Sequence, residues 1–138
     1  MQEPAPQKII IDTDPGIDDA MAIHQAFADP RLEVVGLTTI FGNVTATRAT
    51  RNALHLAEMV GHPACVAGGA PVPLRRAPEP PADFVHGPEG FGNLPAPTPG
   101  RAADPRSAAT YLCESCAAAP GEIIICAVGP LTNLAAAL

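Results

Sequence analysis

One stretch near the start of the chain decides the fold: Lys8-Ile9-Ile10-Ile11-Asp12-Thr13-Asp14-Pro15-Gly16-Ile17-Asp18-Asp19-Ala20. An apolar run ends in two alternating carboxylates, and a Pro-Gly turn leads to two more. The run predicts a buried strand, and the apolar residues after Gly16 have helical spacing. Because strand side chains alternate between faces, Asp12 and Asp14 share one face if the strand continues that far.

The four carboxylates of this stretch need a counter-charge. Two carboxylates ~5 Å apart repel by roughly 3 kcal/mol at an effective dielectric constant of about 20. No Lys or Arg lies between Asp12 and Asp19, so a hard divalent cation with oxygen ligands is one solution. In the alternative solution no cation is bound. Asp18 and Asp19 only cap the helix, and the carboxylates of Asp12 and Asp14 are solvated. Ligands of open α/β sheets bind at the carboxyl ends of strands, which favours the cation.

Length and composition fit one globular domain over residues 1–138, with 47% hydrophobic residues. The formal net charge of -6 argues against a nucleic-acid partner. No apolar run is long enough to span a membrane, so no membrane partner is expected. The first seven residues lack the pattern of a signal peptide. The four cysteines are expected to be reduced thiols. These two observations predict a cytoplasmic protein.

Predicted strands alternate with predicted helices. The strands cover residues 7–14, 32–40, 64–67 and 122–128, and the helices cover 17–28, 45–60, 105–119 and the residues from 131 onward. Residues 70–105 form a long loop rich in Pro and Gly, and such loops are usually functional. Strands that are apolar on both faces indicate an α/β fold with an open, mostly parallel sheet and helices on both faces, similar to a Rossmann fold. Right-handed crossovers place every strand-to-helix turn at one edge.

Four motifs together resemble the nucleoside hydrolase family, the inosine-uridine-preferring N-ribohydrolases. Residues Asp12–Ala20 resemble the family signature, and three further stretches follow in the family's order: Thr38–Val44, His86–Gly90 and Val128–Ala135. The resemblance covers the whole chain but only about the N-terminal half of a family member. Since the chain stops inside a helical run, we expect a truncated domain, the front part of a longer protein.

The resemblance implies calcium-dependent hydrolysis of the N-glycosidic bond of ribonucleosides, in nucleoside salvage or catabolism. Asp14 would be a calcium ligand and the general base that takes a proton from the attacking water. Asp19 would be the second carboxylate ligand, and Val128 would contribute its backbone carbonyl. Asp18 and Asn43 would bind the ribose.

Two more residues receive roles from the resemblance. His86 would lie near the nucleobase, on a loop that closes over the substrate, and Asp12 would orient the other carboxylates. The family also implies a homodimer or homotetramer at full length. A further calcium aspartate and a histidine near the leaving group are absent from this sequence, so we expect the 138 residues alone to be inactive and to bind calcium weakly.

Two alternatives remain open. The first is a non-catalytic remnant that binds calcium or nucleoside weakly. The second is a phosphatase of the haloacid dehalogenase type, which also begins with Asp-x-Asp after a strand. The phosphatase reading leaves the Asp18-Asp19 pair unexplained. Three other features are not expected to have a functional role. Cys113-x-x-Cys116 has no second cysteine pair for a zinc site. Cys126 is expected to be buried in a strand, and Arg75-Arg76 is expected to be solvated.

Overall fold

The computed structural model describes residues 5–138. Residues 1–4, part of the segment that argues against a signal peptide, lie outside the described residues. The strands are β1 (Gln7–Thr13), β2 (Leu32–Thr39), β3 (Cys65–Ala67) and β4 (Ile123–Ala127). The helices are α1 (Ile17–Ala28), α2 (Ala46–Met59), α3 (Asp83–His86), α4 (Ala108–Ala118) and α5 (Thr132–Ala137). Within residues 5–138, no helix is both long and apolar enough to cross a membrane.

The four strands form one parallel sheet in the order β3-β2-β1-β4. Alternate residues of β1 therefore enter two separate cores. Ile9 and Ile11 pack with α1 and α2 on one face, and Ile10 packs with Leu112 of α4 and Leu134 of α5 on the other. Fully burying an aliphatic side chain contributes about 1.5–3 kcal/mol. The predicted α/β sheet with helices on both faces is confirmed.

Helix starts follow from capping side chains. Thr45 accepts a hydrogen bond from the N–H of Arg48 (3.3 Å) at the start of α2. Ser107 accepts one from the N–H of Thr110 (3.1 Å), so α4 begins at Ala108, three residues after the predicted start. The long loop also contains the short helix α3, which its composition did not predict.

The expectation that β4 is buried on both faces, with Cys126 inside, was wrong. Cys126 is exposed, and the side chain of Ile124 is 54% exposed. The physical reason is the position of β4 at the edge of the sheet. Its register with β1 places Ile124 and Cys126 on the face of Ile9 and Ile11, but α1 and α2 cover that face over the other strands.

Candidate functional site

Asp14 lies in the turn between β1 and α1 and is buried. Its Oδ2 accepts a 2.6 Å hydrogen bond from the backbone N–H of Asn43, in the turn after β2. A Cβ on Gly129, in the turn after β4, would lie 2.9 Å from Oδ1. Three strand-to-helix turns therefore meet around one carboxylate, as the parallel topology predicts.

The environment of Asp14 favours its protonated form. Burial raises the pKa of this carboxyl to about 7, and the charges of Asp19 and Asp18 act in the same direction; the N–H of Asn43 opposes them. A carboxyl with this pKa is in part ionised at neutral pH and can accept a proton there.

Asp19 is a buried carboxylate that is held from two sides. Its Oδ1 accepts a 2.6 Å hydrogen bond from the hydroxyl of Thr13. Its Oδ2 accepts one from the side-chain amide of Asn43 (3.0 Å) and a longer one from the N–H of Gly16 (3.4 Å). Asn43 thus contacts Asp14 through its backbone and Asp19 through its side chain, which fixes the two carboxylates relative to each other.

A cavity of about 440 Å³ joins most of the predicted site residues. Its lining contains Asp14, Asp18, Asp19, Asn43 and Val128. Asp18 is exposed. The backbone N–H of Val128 donates to the carbonyl of Asp12 (2.9 Å), which fixes the turn after β4 against the end of β1.

Asp12 is fully buried and does not line this cavity. Its Oδ1 accepts hydrogen bonds from the hydroxyl of Thr38 (2.5 Å) and the side-chain amide of Asn133 (2.8 Å). Its Oδ2 has no partner among the described residues. Burial raises the pKa of Asp12, while Thr38 and Asn133 oppose the rise. Asp12 therefore connects three elements below the cavity.

His86 is buried against the start of α1 rather than among the cavity-lining residues. Its Nδ1 accepts a 3.3 Å hydrogen bond from the N–H of Ile17 and lies 3.8 Å from the carboxylate of Asp18. A Cβ on Gly16 would lie 2.6 Å from the same nitrogen, so the imidazole needs a glycine there. The predicted contact between His86 and the nucleobase stays a prediction.

The cavity offers oxygen donors of the kind that a hard cation binds, but it offers fewer of them than such a cation needs. Asp14, Asp19 and the carbonyl of Val128 are oxygen donors of the kind that Ca²⁺ prefers, but Ca²⁺ takes six to eight oxygens. No group of three His, Cys, Asp or Glu side chains suited to a metal occurs within residues 5–138. Asp19 is already bonded to Thr13 and Asn43. The pKa of Asp14 is raised mainly by burial and to a smaller extent by the charges of Asp19 and Asp18.

Sequence reasoning missed two buried asparagines that hold the site together. The side-chain amide of Asn52 donates to the carbonyls of Pro15 (3.1 Å) and Glu89 (2.8 Å) and so joins the first turn to the long loop. Asn133 donates to Asp12, as described above. Asn52 is a polar residue on the apolar face of α2, between Ala49 and Leu56, and that mismatch was a usable signal.

A second cavity of about 770 Å³ adjoins the first, since both are lined by Asp14, Asn43 and Pro130. Its far wall belongs to the loop before α3 and to α3 itself, and includes Leu74 and Phe84. An acidic cavity at the carboxyl edge of a parallel sheet, open to a larger and less acidic one, is the arrangement of a small-molecule site in an open α/β protein.

The sequence model of the family "inosine-uridine preferring nucleoside hydrolase" matches residues 9–138. The chain belongs to this family, whose members are N-ribohydrolases, and not to the phosphatases considered above. It is 53% identical to uridine nucleosidase 1 of Arabidopsis thaliana over 133 residues, which is 96% of this chain and 40% of that protein.

Solved structures agree with the family match. A plant nucleoside hydrolase superposes with a TM-score of 0.90 at 52% identity, over 96% of this chain and 42% of that one. A purine-preferring ribonucleoside hydrolase from Gardnerella vaginalis gives a TM-score of 0.90 at 33% identity, over 96% and 43%. The chain thus spans about two fifths of the length of these relatives.

Proposed function

We propose that this chain carries the ribose-binding and cation-binding part of a ribonucleoside hydrolase site, within an α/β domain of which residues 1–138 are one part. The observation that carries the proposal is the pair Asp14 and Asp19, which Asn43 holds beside one cavity in a member of the nucleoside hydrolase family. The reaction is hydrolysis of the N-glycosidic bond to free base and ribose.

The residues of the cavity suit the two needs of this reaction. Cleavage at an anomeric carbon develops positive charge on the sugar, and nearby carboxylates stabilise that charge. Asp14, whose pKa lies at about 7, accepts the proton of the attacking water. Asp18 is exposed at the cavity and, with Asn43, accepts or donates hydrogen bonds to the ribose hydroxyls.

A bound Ca²⁺ would be held by Asp14, Asp19 and the carbonyl of Val128, with further oxygens from outside this donor set. When bound, it supplies positive charge that favours ionised Asp14 and orients the water and the sugar hydroxyls. Asp12 acts indirectly, because its carbonyl accepts from the N–H of Val128 in the cavity lining and its carboxylate accepts from Asn133.

Uridine is the first substrate to test, because the name of the Arabidopsis relative is uridine nucleosidase 1. The cytoplasmic location and the oligomeric state stay predictions. A non-catalytic binding module remains the second candidate, since Asp14, Asp19 and Val128 alone provide fewer oxygens than a calcium shell requires.

Calcium titration by calorimetry tests the cation assignment. The wild-type chain is expected to bind Ca²⁺ weakly, and Asp14→Ala to bind at least tenfold more weakly. Glu33→Gln is the matched control, because Glu33 is an exposed acid at the opposite end of the sheet. Equal binding by the wild type and Asp14→Ala would contradict the assignment.

The function itself is tested by ribose binding and uracil release in the presence of Ca²⁺. The proposal requires that D-ribose binds and that Asp18→Ala weakens this binding. Uracil released from uridine by the wild type, but not by Asp14→Ala, would establish the enzyme and refute the expected inactivity of the 138 residues. Binding without release favours the binding module, and absence of ribose binding would refute the proposal.

A further inference from the structure

The C-terminal end of the long loop is tied to the turn between α2 and β3 by two charged side chains. The carboxylate of Glu58, in the last turn of α2, accepts hydrogen bonds from the backbone N–H groups of Gly100 (3.1 Å) and Arg101 (2.6 Å). The guanidinium of Arg101 in turn donates to the carbonyls of His62 and Ala64 (both 2.8 Å). Each charged side chain thus binds backbone groups of the other's segment.

His62 lies at the centre of this arrangement and is half-buried. Its ring stacks on Phe27 of α1, with the ring centroids 4.0 Å apart and an angle of 17° between the planes. Its Nδ1 accepts a 3.1 Å hydrogen bond from the backbone N–H of Ala64. Because an accepting ring nitrogen carries no proton, this geometry requires the neutral imidazole with its proton on Nε2.

A proton on Nδ1 of His62 would turn this acceptor into a donor that faces the N–H of Ala64. It would also add a positive charge beside the guanidinium of Arg101. Burial and the charge of Arg101 both lower the pKa of the His62 imidazole below its ordinary value of 6.5. The folded chain therefore favours the neutral ring. This contribution to stability is fully present above pH 6.5 and is lost as the pH falls through the lowered pKa.

The other titratable groups near His62 act on its ring less directly. Glu33 of β2 borders the same shallow groove as His62, and Glu58 is bound to two backbone N–H groups. Neither carboxylate forms an ion pair with the ring within residues 5–138. His24 of α1 approaches the same Phe27 ring, at 6.5 Å between centroids. The guanidinium is thus the charge that acts on the His62 ring most directly.

We propose that Glu58, His62 and Arg101 form an acid-sensitive clasp on the end of the long loop, and that protonation of His62 opens it. The clasp is separate from the proposed function, since its three residues line neither of the two cavities described above. Just after the clasp, the N–H of Asp104 donates to the carbonyl of Val66 in β3 (2.8 Å). An open clasp therefore lengthens the unrestrained part of the loop without separating Asp104 from the sheet. Because the same loop forms the far wall of the larger cavity, the order of that wall becomes dependent on pH.

NMR of the 138-residue chain between pH 8 and pH 5.5 tests the clasp. The amides of Gly100 and Arg101 are expected to lose about tenfold of their protection against solvent exchange over this range, relative to an unstructured peptide at the same pH. The ring signals of His62 are expected to titrate with the same midpoint. His62→Asn keeps an acceptor near the position of Nδ1 but does not titrate, so it should retain the protection at pH 5.5.

His24→Asn is the matched control, because it removes the other imidazole near Phe27, and it should keep the wild-type response. An equal loss of protection in His62→Asn and the wild type would refute the clasp, as would loss of the response in His24→Asn. Arg101→Gln should show at pH 8 the low protection of Gly100 that the wild type shows at pH 5.5, and full protection in this variant would contradict the role of the guanidinium.

Circular dichroism verifies that each variant is folded. The comparison of midpoints needs no variant, so it decides the question even where a substitution unfolds the chain. If the ring of His62 and the amides of Gly100 and Arg101 titrate with different midpoints in the wild type, protonation of His62 does not open the clasp.

Discussion

The side-chain amide of Asn133 donates a 2.8 Å hydrogen bond to the carboxylate of Asp12, although 121 positions separate the two residues. The same amide donates to the carbonyl of Thr39 (2.9 Å), and its oxygen accepts from the N–H of Ala70 (2.9 Å). One fully enclosed side chain thus connects the carboxyl ends of β1 and β2 with the loop after β3. The three turns around the acidic cavity depend on it for their relative position.

Replacing Asn133 with Ala is therefore expected to destabilise the fold. Loss of a partner from a buried polar group costs about 1–3 kcal/mol, and Asp12 would retain only Thr38. Urea denaturation measures the change. Thr132→Ala is the control, with an expected change within ~0.5 kcal/mol, because the Thr132 hydroxyl makes no hydrogen bond within residues 5–138. Equal effects of the two substitutions would contradict the role of Asn133.

Asn52 is expected to hold the loop after α3 on the first turn. Asn52→Ala removes the bonds to Pro15 and Glu89, so the amides of Gly90 and Gly92 should exchange hydrogen faster. Arg51→Ala is the comparison: its ion pair with Glu89 (2.7 Å) is partly exposed and is expected to contribute less than ~1 kcal/mol. Mass spectrometry of exchanged peptides measures the exchange rate of these amides in both variants. Faster exchange in Arg51→Ala than in Asn52→Ala would refute this prediction.

The sequence predicted the elements well, because each carries its own local signal. The run Ile9–Ile11 is β-branched, α1 begins after a Pro-Gly turn, and α2 begins at a capping Thr45. The meeting of Asp14, Asn43 and Val128 followed from the topology of parallel strands, which needs no knowledge of side-chain contacts. These residues line one cavity as expected.

Features of the structure that depend on contacts between distant residues could not be predicted from local sequence patterns. The exposure of Cys126 follows from the edge position of β4, and strand order was not part of the sequence prediction. The roles of Asn52 and Asn133 need partners more than 30 positions away. The position of His86 below Gly16 depends on a loop whose sequence has no periodic pattern.

Gly16 is expected to tolerate no side chain. A Cβ at this position would lie 2.6 Å from Nδ1 of His86, so Gly16→Ala must displace the imidazole and weaken its bond with Ile17. Overpacking of this kind typically costs about 1–3 kcal/mol. Gly100→Ala is the control, since its nearest contact would be an ordinary 3.7 Å. Thermal denaturation and the NMR signals of the His86 ring measure the effect; an unshifted ring in Gly16→Ala would contradict the contact.

Cys65 is expected to be the least reactive thiol at neutral pH. Burial raises the pKa of Cys65 to about 11, and its hydrogen bond to Asp104 and the charge of that residue add to the rise. Since the thiolate is the nucleophile, about one molecule in a thousand is reactive at pH 8. Iodoacetamide should label the exposed Cys113 and Cys126 first, and labelling of Cys65 should keep increasing up to about pH 11. Peptide mass spectrometry would contradict this if Cys65 reacted as fast as Cys126 at pH 8.

Asp14 is expected to make the calcium-free fold less stable as the pH rises. Its pKa is about 7 in the folded chain and 3.8 as a free side chain, so between these values the folded state binds more protons than the unfolded state. The free energy of unfolding contributed by this group is therefore highest below pH 4 and falls until about pH 7. Asp14→Asn removes the charge, and with a chelator present its denaturation midpoint should exceed that of the wild type at pH 8 but not at pH 4.

Added Ca²⁺ should stabilise the wild type at pH 8 and leave Asp14→Asn nearly unchanged, because cation binding to the folded state favours ionised Asp14. Parallel pH profiles for the two proteins would contradict the raised pKa of Asp14 in the folded chain.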